Sequence, residues 1–238
     1  MSQEHTVRSY DEELAHLSNL IARMGGLAEA QLEGSVLALS TRDSDRASSI
    51  IAGDVKVDEL EQEVNNFTVR LLALRQPVAQ DLRAIVAALR ISGDIERIAD
   101  YAANVAKRTL VLNQLPPVGP VAGVVRLGRL VQELVKLVLD AYADEDVDKA
   151  IRVWRQDEEV DDIYTSLFRE LLTYMMEDPR NITPSIHLMF MAKNIERIGD
   201  HATNIAETIH FLVRGKPLPA ARPKGESILP EPLPGKDS

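Results

Sequence analysis

The chain has no cysteine. Disulfides and thiolate-held metals are therefore excluded, and any metal must be taken by oxygen or imidazole. Aromatic residues are scarce, at 4 % of 238 residues against an apolar content of 45 %. A core of Ala, Leu, Val and Ile without rings favours helices over sheets. Basic tracts are also missing. Lys and Arg number 27 against 37 Asp and Glu, a net charge of −10, so nucleic acid, which demands clustered cations, is not expected as a partner. Nor is there a long apolar run. The longest uncharged stretch, Thr109 to Val125, is broken by Asn113, Pro116, Pro117, Gly119, Pro120 and Gly123, which marks a linker and not a membrane span. Met-Ser-Gln-Glu-His leading into Asp11-Glu12-Glu13 has no signal-peptide pattern. The expectation is a cytoplasmic protein without direct membrane insertion.

What the chain does contain is a segment written twice. Residues 96–104 read E-R-I-A-D-Y-A-A-N and residues 196–204 read E-R-I-G-D-H-A-T-N. Glu96, Arg97, Ile98, Asp100, Ala102 and Asn104 recur at an offset of 100 residues (196 − 96) as Glu196, Arg197, Ile198, Asp200, Ala202 and Asn204. The chain is an internal duplication. At about 100° per residue, Glu196, Asp200, Asn204 and Glu207 share one stripe. Met191, Ile195, Ile198, Ala202, Ile205 and Ile209 share roughly the opposite one. The apolar stripe reads as the core face, and the acidic stripe is expected near the surface, facing away from its own bundle.

The rest of the chain follows the same duplication. A helical pattern from about Ser9 to Leu39 ends at Thr41-Arg42-Asp43-Ser44-Asp45, which caps the next helix. That second helix runs to about Leu74, with Val57, Leu60, Val64, Phe67, Leu71 and Leu74 as its core face, and Pro77 breaks it. A third helix runs from about Ala79 to Leu112. After the linker, Arg126-Leu127-Gly128-Arg129-Leu130 answers Arg23-Met24-Gly25-Gly26-Leu27, and Asp148-Lys149-Ala150 answers Asp45-Arg46-Ala47, both at an offset of 103 (128 − 25; 148 − 45). Asp178-Pro179 and Thr183-Pro184 delimit the turn before the last helix, which ends near Arg214-Gly215. The predicted fold is all-α, two tandem three-helix bundles. Residues 1–8 form a flexible N-terminus, 9–112 the first module, 113–118 the Pro/Gly linker and 119–214 the second module. Residues 215–238 form a disordered, proline-rich tail.

Helix two of each module carries its own carboxylate pair: Asp54 and Asp58, answered by Asp157 and Asp161. Side chains at i and i+4 are neighbours, and packed helices lie about 8–10 Å apart. If these pairs meet Glu96 and Asp100, and Glu196 and Asp200, across the interhelical groove, four carboxylates share a small space in each module. Repulsion then raises their pKa values unless a cation intervenes. The alternative is an acidic face that is merely solvated. Arg97 and Arg197 lie off the stripe and read as salt-bridge partners, with a phosphate contact as the lesser alternative. Asn104 and Asn204 read as surface hydrogen-bonders, and His201, in place of Tyr101, as incidental or as an added nitrogen ligand. No nucleophile–base pair and no phosphate-cradling glycine loop occurs, so no enzyme is expected. Two competing readings remain. One is a carboxylate-bridged di-iron enzyme of ferritin-like type, suggested by Glu13-Leu-Ala-His16 and Glu207-Thr-Ile-His210, although these do not match under the repeat. The other is a metal-free helical scaffold.

With the duplicated E-R-I-x-D-x-A-x-N, the helix-one repeat around Gly25 and Gly128 and both acidic motifs in hand, the sequence resembles the PhoU family over roughly residues 8–214. These are regulators accessory to bacterial phosphate transport. The resemblance implies multinuclear iron or zinc, or another divalent cation, on the Asp54/Asp58, Glu96/Asp100, Asp157/Asp161 and Glu196/Asp200 motifs. It also implies a homodimer that restrains phosphate uptake and phosphate-starvation signalling when phosphate is plentiful. Its partners would be the ATPase subunit of the phosphate ABC transporter, which would recruit it to the inner face of the membrane, and the phosphate sensor histidine kinase.

Overall fold

A computed structural model describes residues 2–218. Module one comprises α1 (Ser2–Thr41), α2 (Ser44–Gly53), α3 (Val55–Arg75) and α4 (Ala79–Leu112). Module two comprises α5 (Val121–Ala143), α6 (Val147–Glu177), a single 3-10 turn at Pro179–Asn181, and α7 (Ile182–Arg214). There is no strand among the described residues, and no helix there is long and apolar enough to cross a membrane. Met1 and most of the expected tail, residues 219–238, lie outside the described residues.

The duplication is visible in the caps. Asp43 accepts a hydrogen bond from the Arg46 amide, and Asp146, at the matching position (43 + 103), accepts from the amides of Asp148 and Lys149. A short side-chain oxygen at this point satisfies amides that no helical turn reaches. The residues just before these caps, Arg42 and Glu145, are both left-handed, with φ of 55° and 50°.

Several boundaries differ from the sequence expectation. The first helix begins at Ser2, so residues 2–8, expected as a flexible arm, continue it. The second helix of module one is interrupted at Asp54. There the Val57 amide bonds the Asp54 carbonyl at 2.9 Å while the regular Asp58 bond stretches to 3.4 Å, a local tightening into 3-10 geometry just after Gly53, a poor helix former. Pro184, expected in a turn, sits in the first turn of α7, where its missing N–H costs nothing. Leu74, expected on the core face, is mostly exposed, one residue before α3 ends at Arg75.

Two three-helix bundles are present, yet they share one continuous apolar core that includes Met24, Leu32, Ile98, Leu127, Leu134 and Ile198. Helices α1, α4, α7 and α5 form a four-helix ring in which each touches its two neighbours, while α2 and α3 brace α1 and α4, and α6 braces α5 and α7. The α4/α7 pair runs antiparallel. Tyr101 lies beside His201, Arg108 stacks over Phe190, and Arg90 approaches Phe211. The α1/α5 pair is joined by reciprocal contacts. A Cβ on Gly25 would stand 2.7 Å from Leu139, and a Cβ on Gly128 would stand 2.6 Å from Val36. Both members of each contact are related by 103 residues (25 to 128, 36 to 139), so one device is used twice about a pseudo-twofold axis.

Candidate functional site

The signature helices α4 and α7 are braced by α3 and α6, and the carboxylates fall in the two resulting grooves. In module one, Asp54 and Asp58 come from the start of α3, and Glu96 and Asp100 from the middle of α4. Burial pushes the Asp54 carboxyl above its usual range, and the charges of Asp58 and Asp100 push it the same way. Glu96 is raised by burial, with Asp100, Asp58 and Glu61 adding to the shift and Arg97 opposing it. The fold therefore brings the four motif residues of this module into one another's field. Among the described residues, no three acidic or histidine side chains converge closely enough to share an ion. Arg97 lies 3.5 Å from Glu96 and 4.0 Å from Asp100, the salt-bridge role read from sequence.

In module two, Asp157 comes from α6 and Glu196 and Asp200 from α7. Burial raises Glu196, Lys193 opposes it, and Asp200 and Asp161 add to the rise. Here the expectation of a solvent-facing stripe fails. Asp157 is 2 % exposed and Glu196 8 %. The stripe turns from its own apolar face only to meet the neighbouring helix, as Trp154 of α6 shows by donating to Glu207 at 3.1 Å. Periodicity locates the core stripe but does not say what packs on the other side.

The two grooves differ in how their acids are satisfied. The ammonium of Lys193 stands 2.7 Å from Glu196, and Thr203 donates to Asp157 at 3.2 Å. The matching residues of module one, Gly93 and Ala103 (193 − 100; 203 − 100), have neither cation nor hydroxyl. Gln31 donates a hydrogen bond to Asp54, but the buried Asp54 Oδ1 has no partner. Module two thus carries a close, partly buried counter-ion in Lys193, whereas the cation beside Glu96 in module one is the more exposed and more distant Arg97.

Asp94, not singled out from the sequence, joins the modules. His201 Nδ1 lies 2.8 Å from its Oδ1, and Asn204 Nδ2 donates to the same oxygen at 3.4 Å. His201 is therefore turned to the other module and adds no ligand to Glu196 and Asp200. Only the pairing of α4 with α7 reveals this, since Asn194 replaces Asp94 in the repeat. Asn104 accepts from Lys107 at 3.2 Å, as a surface hydrogen-bonder should. The Glu-x-x-His residues scatter. Glu13 pairs with Arg75, His16 approaches Glu63, Glu207 holds Trp154 and His210 meets the Lys216 carbonyl.

Raised carboxyl pKa values fix a sign for pH dependence. Asp54, Glu96 and Glu196 bind protons more tightly folded than unfolded. Their contribution is fully present below the unfolded values and is lost as pH rises through the raised folded values. Chelator-treated protein is accordingly expected to melt higher at pH 5 than at pH 7, and Asp54→Asn to melt higher than wild type at pH 7. A melting temperature that falls on acidification over this range, in wild type but not in Asp54→Asn, would contradict the assignment.

Known proteins share this architecture. The model of the PhoU domain matches residues 21–109 and 124–209, one match per module. The phosphate-specific transport system accessory protein PhoU homolog of Caulobacter vibrioides is 53 % identical over 222 residues, 93 % of this chain and 96 % of that protein. The PhoU accessory protein of Escherichia coli K12 is 36 % identical over 235 residues, covering 99 % of this chain and 96 % of its own length. The crystal structure of PhoU from Pseudomonas aeruginosa superposes with a TM-score of 0.84 at 40 % identity, covering 87 % of this chain and all of that one. The phosphate transport system regulatory protein PhoU of Streptococcus pneumoniae gives 0.81 at 28 % identity, covering 89 % of this chain and all of that one. With both repeats matched and the fold shared, the chain belongs to the PhoU family, regulatory accessory proteins of phosphate transport and not enzymes.

Proposed function

We propose that this chain restrains phosphate uptake and phosphate-starvation signalling when phosphate is plentiful. It does so by contacting the ATPase subunit of the phosphate ABC transporter and the phosphate sensor histidine kinase, with iron or zinc in its acidic grooves. Family membership supports the regulatory part. The observation that carries the metal part is the module-one groove, where burial and the charges of Asp58 and Asp100 raise the proton affinity of Asp54 and Glu96, and the buried Asp54 Oδ1 lacks a donor. Such a set fits an oxygen-seeking cation. Asp54, Asp58, Glu96 and Asp100 would hold it in module one, and Asp157, Asp161, Glu196 and Asp200 in module two. A bound ion supplies positive charge that turns repulsion between α3 and α4, or between α6 and α7, into cross-linking. The protein itself supplies the rigid helices that keep the acids facing one another. In module two the Lys193 ammonium is closer to Glu196 and less exposed than Arg97 is beside Glu96 in module one, so the ion should be held less tightly there.

Deleting the gene is expected to raise phosphate uptake and the expression of phosphate-starvation genes at high phosphate. Unchanged uptake together with an unchanged starvation reporter would remove the regulatory reading.

A further inference from the structure

The α1/α5 seam lies on the side of the four-helix ring opposite the α4/α7 seam. The pseudo-twofold axis should make its two ends alike, and they are not. At one end a cavity of about 470 Å³ opens between α1 and α5, reaching down to Ala84 and Ala88 of α4 and Leu212 of α7. The repeat explains its existence. Ala22 and Gly26 on its rim correspond to Val125 and Arg129 (22 + 103; 26 + 103), and Ala84 and Ala88 on its floor correspond to Pro184 and Leu188 (84 + 100; 88 + 100). Each position is small where the cavity is and larger at its mate.

The closing residues differ too. At the other end, Arg42 donates to the carbonyl oxygens of Leu112, Asn113 and Leu115 at 3.1, 2.9 and 2.8 Å and seals the linker onto the bundle. Its counterpart at the open end is Glu145 (42 + 103), which lines the cavity with Glu29 and Asp140. Among the described residues the lining includes no basic one, so three carboxylates surround an apolar floor. Glu29 also lines a second hollow of about 430 Å³ farther along the same seam, with Glu33, Arg129 and Lys136. The two hollows thus lie in succession along one seam, with Glu29 bordering both. Together they span α1 from Leu14 to Glu33, about 28 Å at 1.5 Å per residue, the length of a helix laid lengthwise.

We infer that the α1/α5 furrow is a docking groove for an amphipathic helix of a partner protein, one whose apolar side chains enter the Ala84/Ala88 cavity and whose Lys or Arg residues meet Glu29, Asp140 and Glu145. Helix-in-groove binding uses apolar anchors at i, i+3 or i+4 and i+7, and the acidic rim selects and steers the basic flank. The groove is separate from both carboxylate clusters, so it stands whether or not those bind metal.

The test uses the full chain and a fluorescent synthetic helix of about 20 residues, long enough to span about 30 Å, with leucines on one face and lysines beside them. A second peptide replaces lysine by glutamate. Filling the furrow with Ala22→Leu and Gly26→Leu, both exposed positions, should weaken binding of the lysine peptide by about tenfold or more. Reversing the rim with Glu29→Lys, Asp140→Lys and Glu145→Lys should do the same. The same charge change at the exposed Glu59, Glu159 and Glu177 should leave the affinity within about twofold. The glutamate peptide should not bind. Failure of the lysine peptide to bind overturns the inference, as does equal weakening by the remote charge variant, which would reveal mere attraction to an acidic protein. A sedimentation mass that drops on filling the furrow would overturn it in favour of a second copy of this chain.

Discussion

Adding iron or zinc to chelator-treated protein is expected to raise its melting temperature, and replacing Glu96 and Asp100 together by alanine to abolish most of that rise. Binding to the folded state alone stabilises it by about 2.7 kcal/mol when free metal is a hundredfold above Kd, on the order of 5–10 °C for a chain of this size. The effect should be unequal between modules. Replacing Glu196 and Asp200 should remove less tight-site metal than replacing Glu96 and Asp100, because Lys193 and Thr203 bond module-two carboxylates closely while Gly93 and Ala103 leave module one only the more distant, exposed Arg97. Lys193→Met should then raise metal affinity in module two. Elemental analysis beside melts of the three variants decides it. Equal metal content and equal melts in all of them, with and without added ion, would leave the acids as plain electrostatic surface. The apo variants should fold, since the carboxylates contribute no apolar contacts to the core.

The second large effect concerns the helix crossing. Gly128→Leu is expected to cost about 3 kcal/mol through overpacking, roughly 6–12 °C in melting temperature. A first carbon there already stands 2.6 Å from Val36 Cγ2, and a β-branched side chain has little freedom to withdraw. Gly25→Leu should cost less, because the atom it meets is the far end of the more flexible Leu139. Gly26→Leu, where an added Cβ would meet nothing within 4 Å, should change stability by no more than about 1 kcal/mol. Adding Val36→Ala to Gly128→Leu should recover part of the loss, the signature of direct coupling. Equal melting temperatures for Gly128→Leu and Gly26→Leu would mean that α1 and α5 do not cross as described.

Much of this was legible one residue at a time. The Asp43 and Asp146 caps, the αL end at Gly215 and the linker at 113–118 are local events, decided by side chains within a few residues, and the sequence marks them directly. Repetition made the duplication equally plain, because E-R-I-x-D-x-A-x-N needs no partner to be recognised. It also located the four carboxylate pairs, since i and i+4 neighbours are a property of a single helix. Where one helix meets another, the sequence was silent or misleading. It put Glu196 on a free surface, but α6 covers that face. It read His201 as incidental or as an added ligand, but Asp94, 107 residues away, holds it.

The sequence by itself therefore determined the helices, their caps, the two-module plan and the family, because each rests on short-range spacing or on internal repetition. The tertiary structure alone decided that the modules share one core, that equivalent acidic grooves carry unequal charge compensation, and that only one end of the α1/α5 seam stays open. Those outcomes depend on which side chain occupies a place opposite another. Thr203 where module one has Ala103, and Arg42 where module two has Glu145, acquire meaning only when packing shows what they reach, Asp157 of α6 for the first and the linker carbonyls for the second.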